Sequence, residues 1–236
     1  MPLAEILGAS DHTSAENPLA ILDLLADKTA KTVETIQVFG RIRASAMGTS
    51  VLGIFVVNDA LRLSQDSRVL VINGEITDEL CAQVCIALLQ LESEDAEADI
   101  TIMLNSPGGS VSAGFMLIDT IRVLKCDVEV ICMGLAASTG AMILMSGTKG
   151  KRQALPHARI MLHQPLGGAG LMQASDFEIT AREMSRTRKE IYDFICTCTG
   201  KTYSQVSEDC DRNFWMTAQE AVEYGIIDSV VTKETR

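Results

Sequence analysis

The stretch Val128-Glu-Val-Ile-Cys-Met-Gly-Leu-Ala-Ala-Ser-Thr-Gly-Ala-Met-Ile-Leu-Met-Ser146 opens as an apolar strand, Val128 to Met133, passes through small residues, and resumes as an apolar helical pattern. Ser138 falls at the turn. Ala136, Ala137 and Gly140 leave almost no side-chain bulk around it, which is what a sharp strand-to-helix turn needs if it is to present a serine hydroxyl at a helix N-terminus. The same pattern also suits a helix N-cap, since serine is a favoured cap. Both readings place a strand directly before a helix.

Working outward, the same alternation recurs. Val69 to Ile72 reads as a buried strand and Asn73-Gly74 as a turn, with a helix from Thr77 to Leu91 capped by Thr77. Ile100 to Leu104 is a second strand ending at Asn105-Ser-Pro-Gly-Gly109, and Val111 to Leu124 carries Phe115, Ile118, Ile121 and Leu124 at helical spacing. After the Ser138 helix, Arg159 to His163 is a strand stopped by Gln164-Pro-Leu-Gly-Gly168. A long helix follows, roughly Ala174 to Thr199, with Phe177, Met184 and Ile191 on one stripe, charges elsewhere and Gly200 as its C-cap. A short helix, Ala218 to Tyr224, is capped by Thr217 and ended by Gly225, before a last strand at Val230-Val231. Repeated β-α units imply an α/β fold with a largely parallel sheet.

Residues 1–60 read differently: a polar start, a helix candidate from Pro18 to Leu25, and a strand candidate from Val51 to Val57, with periods that disagree. They are expected to be an N-terminal extension, mobile, processed or packed on a partner, ahead of one domain over 61–236.

Composition narrows the function. The chain has 236 residues, 47% of them apolar and 22% charged, enough for a large core. Its net charge of −11 disfavours nucleic acid as a partner, because phosphate binding needs clustered Lys and Arg. No apolar run reaches the roughly 18 residues of a membrane span, and the N-terminus has no basic stretch leading into an apolar one. A cytoplasmic protein without a membrane partner is expected. The seven cysteines lie mostly inside apolar patterns and read as reduced; no ligand set for a metal stands out, and no cofactor is called for.

Gly108-Gly109 and Ser138 both follow strands at the sheet edge where open α/β folds present their sites. Glycines there leave backbone N–H groups free, so the amides of Gly109 and Thr139 can hold a tetrahedral oxyanion, although Pro-Gly-Gly is equally a common tight turn. A serine nucleophile needs a base, and of His12, His157 and His163 only His163 sits at a strand end beside these loops. A lone half-buried histidine has a structural reading as well.

From about Arg62 to Val231 the chain resembles the ClpP family, the proteolytic subunits of the Clp protease. Asn105 to Gly109, Ile131 to Gly140, Gly147-Thr-Lys-Gly-Lys-Arg152, His163 to Gly168 and Ala221-Val-Glu-Tyr-Gly225 occur in family order at near-family spacing. The resemblance implies a crotonase-like α/β fold with a protruding handle helix over Ala174 to Thr199. It implies a serine endopeptidase with Ser138 as nucleophile, His163 as base and oxyanion donors at Gly109 and Thr139. It also implies stacked heptameric rings of like or paralogous subunits, and a Clp-type AAA+ ATPase that feeds polypeptide in. The sequence departs from the family at the third triad member, where Asn213 in Asp209-Cys-Asp-Arg-Asn213 stands at the usual aspartate position. Asp209 or Asp211 could replace it only if the loop shifts. Arg212 keeps the arginine that, by resemblance, couples ring stacking to the triad. Residues 1–60 do not match the family's usual start. Two rivals follow: a poorly active or non-catalytic ring subunit serving a mixed complex, and a crotonase-type acyl-CoA enzyme.

Overall fold

The computed structural model describes residues 56–57, 60–62, 68–167 and 173–232. The Pro18–Leu25 helix candidate lies outside these residues, as does most of the Val51–Val57 strand candidate.

Nine strands form one sheet among the described residues, in the spatial order β1 (Val56–Val57), β2 (Ala60–Arg62), β3 (Val69–Asn73), β4 (Ile100–Ser106), β5 (Val128–Ala137), β6 (Arg152–Ala154) and β9 (Ser229–Val230), with β7 (Arg159–Leu162) pairing β5 and β8 (Phe214–Thr217) pairing β7. Strands β3 to β6 run parallel. They are connected by α1 (Asp78–Glu94), α2 (Val111–Val123) and α3 (Thr139–Ser146). Right-handed crossovers that always step in the same direction lay their helices on one face of the sheet. The burial pattern agrees: Ile100, Ile102 and Leu104 of β4 and Val128, Val130 and Cys132 of β5 are fully buried against those helices. The residues between them on the other face are half-buried and carry a polar row, in which the Thr101 hydroxyl and the Gln153 amide both donate to Glu129.

Local chemistry accounts for the helix ends. The hydroxyl of Thr77 accepts from Leu80 N–H to start α1, and Ser110 does the same for α2 through Ala113 N–H; each such cap contributes about 1 kcal/mol. Thr217 and Glu220 make a reciprocal capping box at α6 (Ala218–Tyr224), and Gly225 closes that helix at a φ of 97°. All eight residues of α3 are buried, so its apolar run from Gly140 to Met145 packs as a core helix.

Strand β5 extends four residues beyond the expected Met133. Leu104 pairs with Cys132, but Ser106 pairs with Ala136, so extra residues bulge out around Gly134. The Asn105 side chain holds the bulge by accepting from Leu135 N–H while donating to Asn73. The two halves of β5 thereby take different neighbours: Val130 to Cys132 pair with β6, and Leu135 to Ala137 pair with β7. This fork brings β7, and the antiparallel β8 behind it, to the end of the sheet where Ser138 emerges.

Helix α4 (Ala174–Thr199) has 26 residues, about 39 Å at 1.5 Å per residue. Its buried residues are Ile191, Tyr192, Phe194 and Ile195, all in the C-terminal half, so the rest projects from the body with Phe177 and Ile179 exposed. The base is anchored by Arg152, whose guanidinium donates to both carboxylate oxygens of Asp228 and to the Cys198 carbonyl. α5 (Tyr203–Asp209) then leads into β8. No helix among the described residues is long and apolar enough to cross a membrane.

Candidate active site

Ser138 has φ 55° and ψ −123° and is the one non-glycine residue with positive φ among those described. A β-carbon in this region costs about 1–3 kcal/mol and persists only where the surroundings enforce it. Enforcement comes from both sides: Ser138 N–H donates to the Met161 carbonyl on β7 at 2.8 Å, and the Ser138 carbonyl accepts from Ala141 and Met142 N–H in the first turn of α3. The Ser138 side chain makes no capping bond. The simple capping role is therefore not the one it plays, and the hydroxyl is left to other work. The turn tolerates no bulk: a β-carbon on Gly108 would lie 2.7 Å from the Ala137 carbonyl and 2.8 Å from the Ser138 β-carbon.

The hydroxyl meets an imidazole. His163 Nε2 lies 2.8 Å from Ser138 Oγ. The ring's position follows from the β7–β8 ladder: Leu162 pairs with Phe214, so the next step along the antiparallel register sets His163 beside Asn213. Gln164 ties the two loops together, its N–H donating to the Cys210 carbonyl at 2.7 Å and its side-chain amide to the Asp211 carbonyl at 2.9 Å. Half-burial pulls the His163 pKa below its ordinary value, and a side-chain hydrogen bond with Asn213 pulls partly the other way. A bond that favours the charged ring is one in which the asparagine oxygen accepts. The neutral ring, a proton acceptor at Nε2, is thus the form favoured at neutral pH. Asp209 is engaged elsewhere, accepting from the Tyr224 hydroxyl at 2.7 Å, and Asp211 accepts from Gln164. Neither takes the place of Asn213 on the ring.

Two main-chain amides flank the serine. Ile76 N–H donates to the Gly108 carbonyl and Ser110 N–H to the Ile76 carbonyl, at 2.9 and 2.8 Å. Because the peptides are trans, the Gly109 N–H points opposite to the Gly108 carbonyl, away from Ile76. A β-carbon on Gly109 would sit 2.2 Å from the Ile76 carbonyl oxygen, so this close approach requires glycine. The Thr139 N–H begins α3, where the first-turn amides have no partner within the helix and the dipole favours negative charge. Neither N–H meets an acceptor among the described residues.

Ser138, His163, Asn213, Gly109 and Thr139 are therefore gathered at one sheet end. Arg212 is not: its side chain is 94% exposed, with the Asp211 carboxylate 3.9 Å away. Sequence reasoning gave no role in the site to the buried Ser106, whose hydroxyl accepts from Gly108 N–H at 3.1 Å, to the Met161 carbonyl or to Gln164, although Ser106 and Gln164 lie inside the Asn105–Gly109 and His163–Gly168 motifs. The seven cysteines carry free thiols. Burial pushes Cys132 up to about 11 and Cys81 and Cys210 up to about 12, so these sulfurs stay protonated and offer no thiolate. Among the described residues no group of three His, Cys, Asp or Glu could hold a metal ion.

Comparison with known proteins gives a family model described as Clp protease that matches residues 56–234. An ATP-dependent Clp protease proteolytic subunit of Porphyromonas gingivalis is 50% identical over 175 residues, 74% of this chain and 78% of that one. Proteolytic subunit 2 of Prochlorococcus marinus is 47% identical over 165 residues, 70% and 82% of the two chains. Proteolytic subunit 2 of Corynebacterium glutamicum is 44% identical over 191 residues, 81% and 92%.

Proposed function

Because this chain belongs to the Clp protease family, we propose that it cleaves peptide bonds by a serine acyl-enzyme route centred on Ser138. The observation that carries the reading is the 2.8 Å contact between Ser138 Oγ and His163 Nε2, made from a backbone conformation that serine adopts only under constraint. Ser138 Oγ attacks the scissile carbonyl as His163 Nε2 takes its proton. The carbonyl oxygen becomes an oxyanion facing the Gly109 and Thr139 amides and the N-terminus of α3. His163 then gives the proton to the departing amine, leaving an ester on Ser138. Water, deprotonated by the same imidazole, attacks that ester, and the proton returns to Ser138 as the carboxylic acid leaves. Asn213 orients the ring throughout and contributes no charge.

Around this chemistry we place the assembly that the family resemblance implies: like or paralogous subunits in stacked heptameric rings joined through α4, Arg212 pairing across the ring interface, and a cytoplasmic Clp-type AAA+ ATPase delivering unfolded polypeptide. ATP is used by that partner, and this subunit needs no cofactor of its own. The division into a 1–60 extension and a 61–236 protease domain belongs to the same proposal.

A second reading has one specific observation in its favour. With a neutral Asn213 in place of a carboxylate, the His163 imidazolium that forms during acylation lacks its charged partner, which favours a slow subunit that supports an active one in a mixed ring. Hydrolysis of a short fluorogenic peptide by the assembled protein and by Ser138→Ala separates the two. Turnover abolished by the substitution is expected; equal rates for both proteins would leave only the scaffold.

A further inference from the structure

We infer that the side chain of Thr139, apart from its amide, is a positioning residue that holds the two halves of the oxyanion site in register. This rests on the reading of Ser138 as an acylating nucleophile. The Thr139 hydroxyl donates to the Gly109 carbonyl at 3.2 Å. One residue therefore supplies its own N–H to the site and grips the residue that supplies the other.

Thr139 is 1% exposed, and its methyl group occupies a space that exists because residue 114 is glycine: a β-carbon there would lie 2.1 Å from Thr139 Cγ2. Its rotamer is thus set by α2, and the hydroxyl is aimed at the 108–110 turn with little freedom. That turn needs holding. Gly108 and Gly109 both have positive φ, at 96° and 156°, and two consecutive glycines offer the backbone several conformations of similar energy. From the α1 side, Ile76 grips the turn through the Gly108 carbonyl and Ser110 N–H. On the side facing Ser138, the described residues provide the Thr139 hydroxyl as the bond to the Gly109 carbonyl. Without it, the Gly109–Ser110 peptide keeps only its Ser110 N–H bond to Ile76 and can tilt about that bond, shifting Gly109 relative to Ser138 and leaving the Gly109 carbonyl unpaired beside the developing oxyanion.

An interaction that aligns donors for the tetrahedral state and not for the ground state alters kcat and leaves KM alone. The test compares the assembled full chain with Thr139→Val, which keeps shape and loses the donor, and Thr139→Ser, which keeps the donor and loses a methyl. The readouts are the rate of Ser138 modification by a fluorophosphonate and the kcat and KM of fluorogenic peptide hydrolysis, with thermal midpoints confirming that each variant is folded. Thr139→Val is expected to slow both labelling and kcat about tenfold, with KM within about twofold, and Thr139→Ser to recover most of that loss. Labelling of Thr139→Val at the rate of the unmodified chain would overturn the inference. So would Thr139→Ser being as slow as Thr139→Val, since packing alone would then explain the effect; should Thr139→Val not fold, Thr139→Ser is compared with the unmodified chain instead, and a loss of about tenfold in it would overturn the inference. Absence of Ser138 labelling in the unmodified chain would overturn the parent reading instead, and this inference with it.

Discussion

His163 is held between opposing influences, and its protonation sets when the site can work. Burial lowers its pKa and the Asn213 oxygen raises it, with burial the larger. The base must be neutral, so the acid limb of kcat/KM is expected below the ordinary histidine value of 6.5, with activity rising as pH increases through the lowered value. Asn213→Asp would place a carboxylate on the ring, move that limb upward, and raise kcat by about tenfold or more, given how much a triad aspartate contributes elsewhere. A pH–rate profile of both proteins checks shift and gain together; an unmoved limb would mean that residue 213 does not touch the ring in the working particle. Gly108→Ala is a sharper residue-scale case. Its β-carbon would collide with both Ser138 and the Ala137 carbonyl, in a φ region where any side chain is strained. The expected outcome is loss of peptide hydrolysis by at least about a hundredfold, with the circular-dichroism spectrum retained.

Among the elements, those with a strong period and marked ends are legible in the sequence. α4 has the bounds its apolar stripe and Gly200 suggested, and α6 those set by Thr217 and Gly225. Ser138, His163 and Gly109 could be chosen because each follows a strand, and strand ends on one edge of a parallel sheet converge. What could not be read was pairing. The β5 bulge depends on an asparagine side chain from the neighbouring strand, and β6 is three residues whose only recommendation is their partners. α5 has a single buried residue, Val206, too little for a period. Asn105→Ala would leave Leu135 N–H without its acceptor where β5 divides, at about 1–3 kcal/mol. Because β7 docks just beyond that point, a chemical-denaturation curve should shift to lower denaturant while peptide hydrolysis falls with it; an unchanged curve would show that the bulge is held by other means. The Arg152–Asp228 pair makes a second element-scale case. Burial would raise the Asp228 pKa, but hydrogen bonds from Arg152 and the Gly150 N–H bring it below the ordinary 3.8. A depressed carboxylate stabilises the fold fully above its unfolded value and loses that contribution as pH falls through the lower folded one. Asp228→Asn should therefore cost about 3 kcal/mol at pH 7 by leaving Arg152 buried without its countercharge. The gap from the unmodified chain should close as pH drops below 3.8, which thermal melts across that range would show.

At the scale of the whole molecule, the buried residues of α4 all lie in its C-terminal half, while Phe177 and Ile179 nearer its start are 56% and 61% exposed. In the proposed double ring these side chains are covered by the opposing ring. Phe177→Glu with Ile179→Glu should halve the native mass without unfolding the subunit, as native mass spectrometry and a thermal melt would report; an unchanged mass would remove α4 from the ring contact. All of this serves a single convergence, in which a fork in one strand and the register of one ladder carry a serine, a histidine and two amides to the same point. The most direct test is to treat the assembled protein with a fluorophosphonate and locate the adduct by peptide mass spectrometry, in the unmodified chain and in His163→Ala. The account predicts one adduct, on the peptide containing Ser138, that is lost when His163 is removed. Modification at another residue, or at Ser138 with equal speed in both proteins, would contradict it.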